Sequence, residues 1–359
     1  VLGAQQPVNG YFNLTATLLV PLAATVSFVH LTVLTLWMAT AVFATTVAML
    51  VLPDSRWGSQ GTRAAMALAM ALCPTNPEVF GVLLYSFWWA TLWPVIILGW
   101  KRDLWWARVP LLIVASLSSP AAALMAVLFL VAYWLDRRRA DLVAAGILTA
   151  GLVLQLGAVL TGVRRGVAVS TGVAPLLAQS LRTVGVFVIW WTEPGQVYWP
   201  LSALVGLVLV GALVAVTNAL RLRQITEPSL LLIAMALLTG LSAAPASIVT
   251  NPQLTGPRYY FLPFVLLSWI MIQLWRTRAV AAPIRVIAAI LFATAMLGIL
   301  TTFSRSPAST TGRLSWRQEI ISCATSNATV VKIPVYYDGS ARNLWSMNMT
   351  PAQCMRHLR

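Results

Sequence analysis

Apolar residues run along this chain in long blocks that are broken by short polar turns, without the alternation that marks a half-buried strand. At 1.5 Å per residue, roughly 20 apolar residues cross the about 30 Å of hydrocarbon in a bilayer. Inside lipid only helices and closed barrels satisfy every backbone group, and uninterrupted apolar runs select helices. Residues 29–52, 79–100, 142–162, 200–220, 228–244, 258–275 and 286–303 therefore read as spans. Residues 64–73 and 109–117 are apolar but too short, and they stop at Pro74-Thr75-Asn76-Pro77-Glu78 and at Ser118-Ser119-Pro120. The pattern predicts an all-α, polytopic helical bundle with two short, broken helices whose Pro-containing turns face one cavity. Residues 1–28 are expected to form a loop and an interfacial helix, and residues 173–191 a second interfacial helix. Residues 1–303 thus form a transmembrane domain, and residues 304–359 a polar tail.

Composition sharpens this picture. Hydrophobic residues make up 59% of the chain and charged residues 9%, with a mean hydropathy of +0.81. A soluble domain carries roughly 25% charge because its surface must be wetted, so a water-soluble fold is excluded. The net charge of +15 does not point to nucleic acid, because the basic residues fall between apolar runs instead of on one face. Thirteen of the 24 Lys and Arg sit in five short hairpins around Arg56, Lys101, Arg138, Arg221 and Arg276. Four others lie in the opposite short loops and seven in the tail. By the positive-inside rule the hairpins are cytoplasmic, which puts Val1 and the tail outside a plasma (inner) membrane. An exported tail makes a Cys323–Cys354 disulfide a natural expectation.

Most catalytic signatures are absent: the chain has no Walker loop, zinc-binding HExxH helix, CxxC pair or GxSxG elbow. With only His30 and His357, metal clusters and His-based triads find no support. The candidates lie on the exterior side, where Glu78 and Glu193 are the acids and Arg164, Arg165, Arg182 and Arg258 are the cations. A carboxylate can act as general base toward a hydroxyl, and Arg grips phosphate with a two-pronged fork. Each also has a plainer reading. Glu78 can complement the dipole of the following helix, Glu193 can be a solvated turn residue, and the arginines can anchor helices at headgroups. The pairs Trp88-Trp89, Trp105-Trp106 and Trp190-Trp191 read first as interfacial belts. Gly206 and Gly211 miss the GxxxG spacing, so no special helix-packing motif is expected.

The order of several short stretches resembles bacterial membrane glycosyltransferases of the GT-C superfamily. These are Gly10-Tyr11-Phe12, Asn76-Pro77-Glu78-Val79-Phe80-Gly81, Ser119-Pro120, Pro257-Arg258-Tyr259-Tyr260-Phe261-Leu262-Pro263 and, in the tail, Ile333-Pro334-Val335. The resemblance implies transfer of a sugar from a polyprenyl-phosphate carrier to a hydroxyl of a glycan or lipid-linked acceptor at the exterior face. It implies an acid base, with Glu78 and Glu193 as the candidates here. It also implies donor-phosphate contacts, here assigned to Arg258, Arg164, Arg165 and Arg182. The family's base lies in the first external loop, but residues 1–28 hold no Asp or Glu. The expectation is that this base, with a first span, lies upstream of Val1, or that another acid serves. No cofactor is indicated, a divalent metal is left open, and the partners are the lipid-linked donor, the acceptor and membrane lipids. A transporter or flippase of a lipid-linked glycan, or a non-catalytic membrane scaffold, remain the alternatives.

Overall fold

The computed structural model describes residues 12–73, 79, 82–161, 173–189, 199–246, 260–303, 316–336 and 345–358. The chain is nearly all helical. It begins with α1 (Leu14–Val26), α2 (Leu31–Val51) and α3 (Gln60–Ala71), then a 3₁₀ turn (Leu83–Ser86) that runs into α4 (Phe87–Leu98). Next come α5 (Trp105–Ser118), the single turn α6 (Pro120–Leu124), α7 (Ala126–Asp136) and α8 (Arg139–Thr161). The second half holds α9 (Val173–Ile189), α10 (Trp199–Arg221), α11 (Glu227–Ala246), α12 (Phe261–Arg276) and α13 (Ala282–Phe303). The tail adds α14 (Trp316–Ala324), strands β1 (Val331–Tyr336) and β2 (Trp345–Met349), and α15 (Pro351–Leu358).

Two helices form the centre. α4 and α12 are apolar on every side, and every residue from Trp88 to Leu98 and from Phe261 to Leu274 is buried. A helix without a polar face has no stable place except inside a bundle. α12 packs against α3, α9, α11 and α13, while α4 packs against α2 and α5. The tryptophans of this core are tied by their indole N–H groups. Trp57 donates to the Val95 carbonyl at 3.2 Å, Trp93 to Thr46 Oγ1 at 2.8 Å, Trp100 to Met49 at 3.1 Å and Trp269 to Met66 at 2.9 Å. The outer faces are apolar too: Leu36 and Trp37 on α2, Leu204, Leu207 and Val208 on α10, and Val286, Ile287 and Ile290 on α13 are exposed. Among the described residues, three helices are long and apolar enough to cross a membrane: Leu31–Val51, Arg139–Ala158 and Leu201–Arg221.

Several expectations need correction. Residues 79–100 are not one continuous span, because the α-helix starts only at Phe87 after a 3₁₀ turn. Trp88 and Trp89 are buried rather than interfacial, since Trp89 faces Phe43 and Phe261 and hydrogen-bonds the chain; Trp106, by contrast, is 80% exposed. A close glycine contact does exist, but between helices: a Cβ on Gly185 of α9 would strike the Ser202 backbone of α10, and one on Gly206 would strike the Leu181 backbone. The two helices approach as closely as glycine allows, which a search for spacing along one helix misses. The expected helix at residues 173–191 forms as α9, with Val184, Val186 and Phe187 buried in the main core. The tail is not purely helical: β1 and β2 pair antiparallel, with Val331 opposite Met349. Cys323 and Cys354 are joined as expected, across 6.0 Å between Cα atoms. The bond sits in a small core with Ile320, Ile333 and Met349, against which Phe28, from the α1–α2 turn, packs.

Candidate functional site

The five basic hairpins meet at one end of the bundle. Arg56 pairs with Asp136 at 2.8 Å and donates to Thr226 Oγ1, linking the first, third and fourth hairpins. Arg138 donates to the Trp100 and Lys101 carbonyls and pairs with Asp103 at 3.0 Å, which ties in the second. Arg223 donates to the Ala279 carbonyl, and Gln273 to the Trp57 carbonyl at 2.6 Å, which brings in the fifth. Arg108 is one of the thirteen cations that the sequence places in the hairpins. It is instead completely buried, pairs with Asp103 at 3.1 Å and Asp141 at 2.8 Å, and lies over the Phe129 ring. Ion pairs join the first three hairpins and hydrogen bonds tie in the other two, so this end is a structural clasp.

Successive helices carry the chain from this clasp to the opposite end, where Phe12, Val79, Ser119-Pro120 and Tyr260-Phe261, the described members of four of the stretches that bear the resemblance, lie. A buried network of neutral groups forms the first half of that end. Asn13 caps α1, accepting from the Ala16 amide, and donates to the Leu84 carbonyl at 2.9 Å. Thr15 accepts from Ser86 Oγ at 3.0 Å and its amide donates to Ser118 Oγ at 3.2 Å. Ser119 bonds Thr91 at 2.9 Å. Gln155 of α8 exchanges hydrogen bonds with the Phe12 backbone and donates to the Ser116 carbonyl at 3.0 Å. The stretch that ends in Phe12 and the break at Ser118–Pro120 are thereby locked to the turn just after Gly81. A network of amides and hydroxyls has no group that ionises near neutral pH, so it positions backbone and does not move protons.

The second half is aromatic. Cys73 and Val79, which flank residues 74–78, are both buried. The Cys73 Sγ lies 3.8 Å from the Phe261 carbonyl, Trp89 donates to the Val79 carbonyl at 2.7 Å, and the Trp89 and Phe261 rings meet edge to face at 4.6 Å. Beside Phe261, Tyr260 is buried, and its hydroxyl lies near Gln179 and Arg182, both on α9. Of the site residues expected from sequence, Arg182 is therefore placed next to Tyr260, half-buried on α9. Glu78, Glu193, Arg164, Arg165 and Arg258 lie outside the described residues. Among the described residues, no group of three or more His, Cys, Asp or Glu stands close enough to hold a metal ion.

Sequence reasoning missed Tyr260 as a site residue although it quoted the run that contains it, and it missed Gln179 and Gln155 altogether. Gln179 had a legible signal: it lies three residues before Arg182, which places both on one helix face. The chain matches no family model, no curated protein and no solved structure.

Proposed function

We propose that this chain is a multi-pass membrane glycosyltransferase of GT-C type, moving a sugar from a polyprenyl-phosphate carrier to an acceptor hydroxyl at the exterior face of the inner membrane. The observation that carries this reading is the convergence, at the end opposite the basic clasp, of the stretches that resemble the family. Phe12, the Ser118–Pro120 break, Val79 and Tyr260–Phe261 come from distant parts of the chain and meet there with Arg182. The membrane setting is supported by the apolar outer faces of α2, α10 and α13, whose extent a soluble monomer does not tolerate. The charge asymmetry supports a cytoplasmic clasp, with this convergent end and the tail that packs on Phe28 outside.

In this reading the arginines bind the carrier phosphate and stabilise it as it leaves the anomeric carbon, while an acid takes the proton of the acceptor hydroxyl. Arg182 is the donor-phosphate ligand with a described position, and Arg258, Arg164 and Arg165 are assigned from the resemblance. Glu78 is the first choice of base because it lies in the chain between Cys73, which meets the Phe261 carbonyl, and Val79, which Trp89 holds, and Glu193 is the second. The test is transfer from a synthetic polyprenyl-phosphate sugar by purified wild type, Glu78→Gln and Glu193→Gln. Loss of about 10²–10⁴-fold in one variant, with donor binding retained, identifies the base. Wild-type rates in both remove these acids. Movement of intact donor across vesicles without transfer supports a flippase instead.

A further inference from the structure

The clasp end carries a second feature that sugar transfer does not use. The chain holds no Asp or Glu from residue 228 to residue 318, yet Arg276, Arg278 and Arg285 fall within ten residues of that stretch, at the turn between α12 and α13. None of the three forms an ion pair with a described residue. Arg276 lies against the backbone of Gly58, while Arg278 is exposed. Arg285 is half-buried, and its Nε is shielded from solvent with no acceptor among the described residues. A guanidinium without an anion, at the edge of an apolar surface, is a costly arrangement unless something outside the chain completes it.

Arg285 stands at the mouth of a groove of about 440 Å³, within the size range of ligand pockets. Besides Arg285 its lining on α13 is apolar, made of Ala282, Val286, Ala289, Ile290 and Ala293. Trp275 of α12, 60% exposed, lines the same groove. From Ala282 to Ala293 the groove follows α13 for about 16 Å, close to one leaflet's share of the about 30 Å hydrocarbon core. We infer that this groove seats one acyl chain of an anionic phospholipid in the leaflet facing the clasp, with its headgroup phosphate on Arg285. The occupant follows from charge and length together: an arginine fork and a nearby exposed cation recognise phosphate, and the trough below them has one leaflet's depth and no polar partner for anything but hydrocarbon. The inference rests on the membrane reading but not on sugar transfer.

The experiment is native mass spectrometry of the purified full chain in detergent, titrated with phosphatidylglycerol or with phosphatidylcholine of the same acyl chains. Wild type is expected to retain phosphatidylglycerol about tenfold more strongly, the worth of a charge-assisted hydrogen bond. Arg285→Gln should abolish that preference, and Ala289→Trp should abolish retention although the guanidinium is intact. Arg139→Gln, an exposed clasp cation on α8, a helix not packed on α13, should change nothing. Thermal unfolding of each variant separates lost binding from lost fold. Equal retention of both lipids by wild type, full retention by both groove variants, or displacement of phosphatidylglycerol by millimolar inorganic phosphate alone would overturn the inference. Alkaline carbonate extraction keeps the two readings apart: release of the chain from membranes sinks the membrane reading, whereas a retained chain without lipid preference sinks only the groove.

Discussion

Arg108 on α5 and Asp141 on α8 face each other at 2.8 Å, and neither side chain is exposed at all. The pair joins two helices at the clasp end, with Asp103 as a second, partly exposed partner of Arg108. Burial makes the pair unequal in its responses to mutation. Removing one partner leaves an uncompensated buried charge, which costs about 3–5 kcal/mol, whereas replacing both with apolar residues of similar volume is close to neutral. Asp141→Leu and Arg108→Met should each lower the unfolding temperature of the detergent-solubilised protein sharply. The double variant should recover most of the loss.

The glycine contact between α9 and α10 is the second test of packing. Gly185→Ala and Gly206→Ala put a methyl group into facing backbone, and overpacking of this kind costs about 1–3 kcal/mol. Gly211→Ala is the control, because a Cβ there meets nothing within 4 Å. Its stability should be unchanged or slightly raised. Denaturation midpoints compared across the three variants check the prediction.

Helix existence was legible in the sequence because long apolar runs have few other solutions, and the clasp was legible as charge because Arg and Lys punctuate those runs. Three things were not. The Arg108–Asp141 pair looks in sequence like one hairpin cation and one acid in a first turn, since nothing local shows that α5 and α8 meet there. Trp88-Trp89 looks like a belt because the sequence does not say which apolar helices are central and which face outward. The Gly185–Gly206 contact is carried by two helices whose register against each other is a tertiary fact. At the candidate site, the run ending in Phe12 was visible as a loop before a helix, and Ser119-Pro120 as broken backbone. Their hydrogen-bonded union through Gln155 and Thr15 joins residues more than 100 apart.

The tail disulfide closes a loop with a sequence separation of 31, which the chain-entropy relation values at about 3–4 kcal/mol. Cys323→Ser with Cys354→Ser should therefore loosen the tail alone. Limited proteolysis should cut residues 316–358 in the variant, or in reduced wild type, while α2 to α13 stay intact. Equal resistance in both forms would show that the small core around Ile320 and Ile333 holds without the bond.

Orientation is tested with single introduced cysteines. Leu222 at the clasp is 89% exposed, and Asn327 in the tail is exposed as well. An impermeant thiol reagent applied to intact cells should label Asn327→Cys and leave Leu222→Cys unreacted until the membrane is opened. The reverse pattern would invert the topology.

The most direct measurement is sugar transfer from a synthetic polyprenyl-phosphate donor by wild type, Arg182→Lys and Arg258→Lys. Lysine keeps the charge but loses the fork that grips phosphate at two points, so a headgroup anchor tolerates the change and a phosphate ligand does not. Losing a hydrogen bond to a charged group is worth about 1.5–3 kcal/mol, or roughly ten- to a hundredfold. The account predicts transfer by wild type and a fall of that size in both variants, with unfolding temperatures unchanged. Wild-type rates in both variants, or no transfer from any polyprenyl-phosphate sugar by a folded, membrane-inserted chain, would contradict it.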